Sequence, residues 1–83
     1  MAGPNTLPYG GIVNYPTWVF ANTRLYVQNS DKHYPGKVTV WAAGNTEDVV
    51  VYGGHTDHIE RYWGGVHISV TNNGGPPLTV WTA

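Results

Sequence analysis

Apolar and polar residues alternate in short stretches of this chain. Residues 38–41 read Val-Thr-Val-Trp, and residues 66–71 read Val-His-Ile-Ser-Val-Thr. A period of two places successive side chains on opposite faces, which is typical of a strand with one buried face. Glycine, proline and β-branched residues interrupt every stretch long enough for a helix, so the pattern predicts an all-β fold.

Turn signals separate the alternating stretches at nearly regular intervals. Glycine pairs at 10–11, 53–54 and 64–65 and the Asn/Gly/Pro run at 72–77 all favour turns. The strands predicted between the turns are 10–14, 17–21, 24–29, 37–42, 48–52, 57–63, 65–71 and 77–82.

Two parts of the chain resemble each other. Segments 25–43 and 67–83 both contain a strand, a loop rich in Asn, Gly or Pro, and a second strand with a tryptophan near its end. The aligned positions are Val27 with Val70, Asn29 with Asn72, Pro35 with Pro76, and residues 38–41 with residues 78–81. Strands joined by a short loop favour β-hairpins, so we expect two related hairpins.

The alternation in each strand also gives an expected core. The residues assigned to it are Leu25, Val27, Val38, Val40, Val50, Ile68, Val70, Leu78 and Val80, with help from Trp18, Phe20 and Ile59. Trp41 and Trp81 fall on the opposite, polar faces beside threonine. Large indoles in that position are candidates for a ligand platform or an interface between subunits.

Charge and hydropathy exclude two classes of protein. Four Lys and Arg residues against five Asp and Glu give a net charge of −1, whereas nucleic acid binding needs a basic surface. No apolar run approaches the roughly 18 residues of a transmembrane helix, and the N-terminus lacks the features of a signal peptide. We expect a soluble protein without a nucleic-acid partner, either cytoplasmic or secreted after processing.

The chain has no cysteine. Neither a disulfide nor a cysteine-based zinc site can therefore stabilise it, and a chain of 83 residues builds only a small core. We expect subunits to bury one another's aromatic surface in a homo-oligomer.

Residues 53–65 hold most of the side chains that could carry chemistry. His55, Asp57 and His58 are ligand types for zinc, nickel or copper. A chain this small, however, has few residues to enclose the cleft that a catalytic metal needs. No nucleophile with a triad context and no pair of carboxylates stands out. The sequence leaves a metal at these three residues open, and we predict a protein with no cofactor and no enzymatic activity.

An arginine and a glutamate beside an indole suit a sugar site. The apolar face of a pyranose stacks on the ring, and its hydroxyls take planar, bidentate partners. Arg61, Glu60 and Trp63 supply this combination in one predicted strand. The full set of candidate ligand-binding residues is Trp41, Trp81, Trp63, Arg61, Glu60, Asp31 and Asn72.

Two sequence pieces resemble strand motifs of small fucose-binding propeller lectins. TRLYVQNSDK at 23–32 contains Arg-x-Tyr, and HIERYWGG at 58–65 contains Glu-Arg-x-Trp-x-Gly. In that family the pieces lie close together in both repeats of a chain that assembles into a ring, whereas here each occurs once. The resemblance covers under a quarter of the chain and implies a sugar-binding propeller, and we transfer no site residue from it.

These observations lead to one combined prediction. Residues 1–9 form a flexible N-terminal arm, and residues 10–83 form a single β domain. This domain is a small antiparallel β-sandwich or barrel with two related hairpins, or alternatively two propeller-like blades completed by oligomerisation. The predicted function is a non-catalytic, lectin-like module that binds glycans as a multivalent homo-oligomer. The alternatives are a self-assembling coat or filament subunit and a lipid-binding or pore-forming β protein.

Overall fold

Eight strands make up the fold. The computed structural model describes residues 2–83, and its strands are β1 (Ala2–Leu7), β2 (Ile12–Tyr15), β3 (Thr23–Gln28), β4 (Gly36–Ala42), β5 (Asn45–Val51), β6 (Thr56–Arg61), β7 (Ile68–Gly74) and β8 (Leu78–Thr82). Among these residues there is no helix with the length and apolar character needed to cross a membrane.

The strands form two four-stranded antiparallel sheets that pack face to face. The order is β1-β8-β3-β6 in the first sheet and β2-β7-β4-β5 in the second. The predicted all-β sandwich is confirmed. The propeller-like alternative, which the resemblance to propeller lectins also implied, is wrong because the two sheets cover each other within one chain.

The core lies between the sheets and consists of the inward-facing residues of the strands. It contains Leu7, Tyr15, Leu25, Val27, Val38, Val40, Ala42, Val49, Val51, Ile68, Val70, Leu78 and Val80, with Ile59 partly buried against it. Val50 was expected in this core but is exposed, whereas Val49 and Val51 are buried. Residues 49–51 of β5 are all valine, so the sequence does not show which of them face inward. The predicted inward face was wrong by one residue.

Two segments differ from the predicted strand pattern. Ala2–Leu7, within the expected arm, form β1, which pairs with β8 at the edge of the first sheet. Met1, also in that arm, lies outside the described residues. Residues 17–21 form no strand, because the Trp18 N–H donates to the Thr23 hydroxyl rather than to a neighbouring strand. Trp18 and Phe20 are consequently exposed and absent from the core.

Most successive strands lie in different sheets. β4 and β5 are joined within the second sheet by Ala43 and Gly44, which both have positive φ (51° and 83°) and suit a two-residue hairpin turn. The related segments 25–43 and 67–83 instead cross the core, since β3 and β8 belong to the first sheet and β4 and β7 to the second. The predicted hairpins are therefore replaced by two arches, which bury the apolar faces of both their strands against each other.

The sequence repeat extends over the whole sandwich. Exchanging β1–β4 with β5–β8 converts the strand order of the first sheet into that of the second. The register follows the same rule, because Val27 lies opposite Val80 in the first sheet and Val70 lies opposite Val40 in the second. The two halves of the chain are thus related by an approximate twofold arrangement.

Candidate functional site

An open cleft lies at one edge of the sandwich, beside β5 and the segment that follows β6. Its volume of about 600 Å³ is in the range of small-molecule binding sites. The residues that line it are Val40, Ala42, Ala43, Asn45, Thr46, Glu47, Tyr62, Trp63 and Val66. It therefore combines two aromatic rings, an aliphatic floor and a few polar groups.

The inward-facing row of β5 changes from apolar to polar towards the cleft. Val51 and Val49 are buried, and Glu47 and Asn45 follow at the same alternate positions. The Glu47 side chain stays 37% exposed at the edge of the sandwich, and the Arg61 guanidinium donates to its Oε2 at 2.6 Å. No bond to Oε1 forms within residues 2–83, so this oxygen of Glu47 is available to a ligand.

Trp63 forms the aromatic wall of the cleft. Its side chain is partly buried and packs against the core. The Val66 N–H donates to the Trp63 carbonyl across a turn in which Gly64 and Gly65 both have positive φ. This turn, which glycine adopts without strain, fixes the indole at the end of β6.

The opposite edge of the sandwich has an equivalent position. Tyr15 in β2 lies opposite Ile68, and Ile59 in β6 lies opposite Leu25. Because Leu25 and Ile68 correspond in the repeat, Tyr15 and Ile59 correspond as well. Both side chains face the core from an edge strand.

Tyr15 fills its edge of the sandwich, whereas Ile59 packs against the core without a polar group that could reach across the other edge. The Tyr15 hydroxyl crosses the gap and donates to Asn5 Oδ1 at 2.6 Å and to the Val80 carbonyl at 3.0 Å. This burial raises the pKa of Tyr15. Val40, the counterpart of Val80, lines the cleft instead. The cleft is thus the open form of a space that a tyrosine closes on the other side.

The structure separates the Glu60 side chain from those of Trp63 and Arg61, since Glu60 pairs with Arg24 and Arg61 pairs with Glu47. Glu60 lies on the outer face of the first sheet, where it accepts hydrogen bonds from Arg24 Nε at 2.8 Å and from the Asn22 amide at 3.0 Å. The Arg24 bond, reinforced by Asn22, holds the pKa of Glu60 below its ordinary value. Glu60 therefore links β3 and β6 and is not part of the cleft.

Trp81 lies on the same outer face, in a row of rings across three strands. Its indole is parallel to the Tyr26 ring at 5.3 Å, and Tyr26 in turn lies 5.2 Å from His58. Parallel rings with centroids at this distance are offset-stacked, so the Tyr26 ring overlaps only part of one indole face. Trp81 also borders a groove of about 400 Å³ together with Gly3 and Pro4. This groove shares no lining residue with the cleft and is separate from it.

Trp41 occupies the corresponding position on the outer face of the second sheet. It is 48% exposed and lies opposite Ser69, where the first sheet has Tyr26. The two predicted platform tryptophans are therefore on opposite sides of the sandwich, and neither lines the cleft.

Asp31 and Asn72 lie at the other end of the strands from Trp63. Asp31 Oδ1 accepts the backbone N–H groups of His33 and Tyr34, as in a turn stabilised by an aspartate. Asn72 is fully buried, and its amide donates to backbone carbonyls within the fold. Asn72 is not accessible to a ligand, and both residues stabilise loops.

The histidines of residues 53–65 do not converge with Asp57. His55 Nδ1 lies 3.0 Å from the Gly53 carbonyl, and the His58 ring lies beside Tyr26, tilted by 32°. Across residues 2–83, no three His, Cys, Asp or Glu side chains lie close enough together to hold a metal ion.

Comparison with known proteins places the chain in a family. The family of unknown function DUF8244 matches residues 12–83. The chain belongs to DUF8244. An uncharacterized protein of Dictyostelium discoideum is 38% identical over 88 residues, which cover 100% of both chains. No solved structure matches.

The DUF8244 match includes the whole cleft. It begins at Ile12, the first residue of β2, and so contains every lining residue between Val40 and Val66. β1, with the Gly3 and Pro4 that border the Trp81 groove, lies before it.

Four polar or aromatic residues of the cleft were missing from the predicted site. Asn45, Thr46, Glu47 and Tyr62 line it beside Trp63. The turn signal at Gly44 and the alternation back from Val49 would have placed Glu47 and Asn45 on the inward face. The meeting of β5 with the end of β6 depends on the crossing connections, which no local pattern shows.

Proposed function

We propose that this chain is a non-catalytic carbohydrate-binding module that holds a sugar in the cleft beside Trp63. The observation that supports it is the combination of a fixed indole with a carboxylate whose one free oxygen faces the same cleft. Of the predicted ligand-binding residues, Trp63 lines the cleft and Arg61 contacts it through Glu47, which takes the role predicted for Glu60 from the sequence.

The chemistry of the lining groups suits a pyranose. The apolar face of the sugar packs against Trp63, and the edge of Tyr62 borders it. Glu47 Oε1 accepts a hydrogen bond from one sugar hydroxyl. The Asn45 side-chain amide accepts from or donates to a neighbouring hydroxyl. Arg61 acts through Glu47, because its hydrogen bond to Oε2 holds the carboxylate in one orientation.

The same lining supports binding rather than hydrolysis. Glycoside hydrolysis takes two carboxyl groups about 5 to 9.5 Å apart on either side of the bond to be broken. Among the lining residues, all of which the structure describes, Glu47 is the one carboxylate, and it is already paired with Arg61. The cleft therefore has an acceptor for a hydroxyl but no second acid.

Homo-oligomerisation belongs to the same proposal. A single open cleft with a few hydrogen-bonding groups gives weak affinity, and several copies on one assembly raise the apparent affinity for a glycan surface by orders of magnitude. Light scattering of the purified protein measures the number of copies directly.

A glycan microarray tests the proposed function. We expect labelled protein to bind one family of glycans, with equal signal in the presence and absence of EDTA, because the lining groups named above act without a metal. A folded protein that binds no glycan on the array contradicts the proposal. Signal that disappears with EDTA places the recognition at a metal rather than at this cleft.

A further inference from the structure

The loop between β2 and β3 carries three exposed apolar side chains in succession. They are Trp18, Val19 and Phe20, and Phe20 is 97% exposed. Tyr62 and Val66, from the segment between β6 and β7, are exposed beside them. We refer to these five residues as the apolar tip. Tyr62 and Val66 also line the cleft beside Trp63, whereas Trp18, Val19 and Phe20 do not, so the apolar tip borders the cleft at the end of the sandwich.

Hydrogen bonds between the two loops hold the apolar tip in place. The Thr17 hydroxyl donates to the Val66 carbonyl at 2.8 Å, and the Tyr62 hydroxyl donates to the Val19 carbonyl at 2.8 Å. The Trp18 N–H donates to the hydroxyl of Thr23. These bonds satisfy backbone groups that an apolar medium would penalise, while the apolar side chains stay outside.

Charged residues are absent from both loops. Residues 16–23 and 62–67 contain no Lys, Arg, Asp or Glu. Charge begins directly behind them, with the ion pairs Arg24–Glu60 and Arg61–Glu47 at the strand ends. The boundary between apolar and charged surface therefore runs across the end of the sandwich.

The size and composition of the apolar tip argue against a second protein as its main partner. From the usual areas of such side chains, the tip exposes roughly 600 Å². Specific protein interfaces bury about 800 Å² on each partner. A small exposed surface with three aromatic side chains and no Lys, Arg, Asp or Glu fits the interface of a lipid bilayer, where aromatic side chains are favoured.

We propose that the apolar tip inserts into the interface of a zwitterionic lipid bilayer. Phe20 and Val19 enter the acyl region, and Trp18 and Tyr62 lie at the level of the headgroups. The protein has a net charge of −1 and no basic cluster near the tip, so attraction to anionic lipid is not the source of binding. This proposal goes beyond sugar binding and does not depend on it.

Vesicle binding tests the proposal. Full-length protein is sedimented with phosphatidylcholine vesicles that contain no glycolipid, at low and high salt, and Phe20→Ser is compared with Tyr52→Ser. Tyr52 is 68% exposed and lies at the opposite end of the strands. We expect Phe20→Ser to bind vesicles at least about tenfold more weakly than the wild type, and Tyr52→Ser to match the wild type. Salt should have little effect on binding. Light scattering of both variants accompanies the binding assay.

Several results would overturn the proposal. One is a wild-type protein that stays in the supernatant, and another is an equal loss in Phe20→Ser and Tyr52→Ser. A third is conversion of an oligomer to a monomer by Phe20→Ser without a change in vesicle binding, which would assign the tip to a second copy. Phe20 is nearly fully exposed and makes no core contact, so Phe20→Ser is expected to fold.

Discussion

Asn29 and Asn72 hold the same position in the two halves of the chain. Each is fully buried at the start of an arch, and each donates its amide to two backbone carbonyls. For Asn29 these are the carbonyls of Tyr34 and Val51, and its Oδ1 accepts the N–H of Asp31. Asn72 makes the corresponding bonds at the other arch. One residue type thus joins each arch to the neighbouring edge strand.

Replacing either buried asparagine by alanine is expected to destabilise the fold by about 2–4 kcal/mol. The substitution leaves two carbonyls and one N–H without partners in the interior, and unsatisfied buried groups carry the full cost of desolvation. Chemical denaturation of Asn29→Ala and Asn72→Ala measures the change. Asn73→Ala, next to Asn72 but exposed, is the control and should stay within about 0.5 kcal/mol of the wild type. An equally small effect of Asn72→Ala would contradict the structural role.

Tyrosine at position 59 is expected to close the cleft. Tyr15 closes the equivalent space by donating to Asn5 and Val80, and Ile59→Tyr places the same ring on the other edge. We expect this variant to fold with a melting temperature near that of the wild type and to lose glycan binding at least tenfold. Glycan titration and thermal unfolding of the same samples check both parts. A well-folded Ile59→Tyr protein with full affinity would mean that the ligand binds elsewhere.

Two adjacent acids on β5 give a matched test of the hydrogen-bonding groups. Glu47 faces the cleft, whereas Asp48 faces outward and accepts a bond from the Thr39 hydroxyl. Glu47→Ala removes an acceptor for a sugar hydroxyl and leaves Arg61 unpaired, so affinity should fall by about tenfold or more. Asp48→Ala should leave affinity unchanged. Equal effects of the two substitutions, measured by titration calorimetry, would remove Glu47 from the site.

The Arg24–Glu60 pair is expected to make stability depend on pH at the acidic end. Bonds from Arg24 and Asn22 lower the pKa of Glu60 in the folded chain. A carboxyl with a depressed folded pKa adds stability above its unfolded pKa, near 4.3, and loses it as pH falls through the folded pKa. The difference in melting temperature between the wild type and Glu60→Gln should therefore be present at pH 7 and shrink below about pH 4. A difference that is constant from pH 3 to pH 7 would contradict this assignment.

Local sequence patterns predicted the interior of the sandwich well. Eight of the nine strand residues assigned to the core are buried, because strict alternation at positions such as Val38 and Val40 leaves one choice of inward face. The run Val49-Val50-Val51 has no polar residue to fix that choice. Alignment of Asn29 with Asn72 also identified the repeat on which the fold is built.

The arrangement of the site could not be predicted in the same way. Whether two related strands form a hairpin or cross to another sheet depends on which apolar faces meet, and the loops after Gln28 and Gly74 do not show it. That crossing separates Trp41 from Trp81 and places Glu47 beside Arg61. Alternation placed Glu60 and Arg61 on opposite faces of β6, but it did not predict that Arg61 pairs with Glu47 of β5.

The most direct test of the account is an NMR titration with the glycan that binds best on the array. The chain has four tryptophans, and each gives one indole N–H signal. We predict that the Trp63 signal shifts on binding, together with the side-chain amide of Asn45, while the signals of Trp41 and Trp81 stay in place. A shift confined to Trp81 would move the site to the outer face of the first sheet and contradict the central claim.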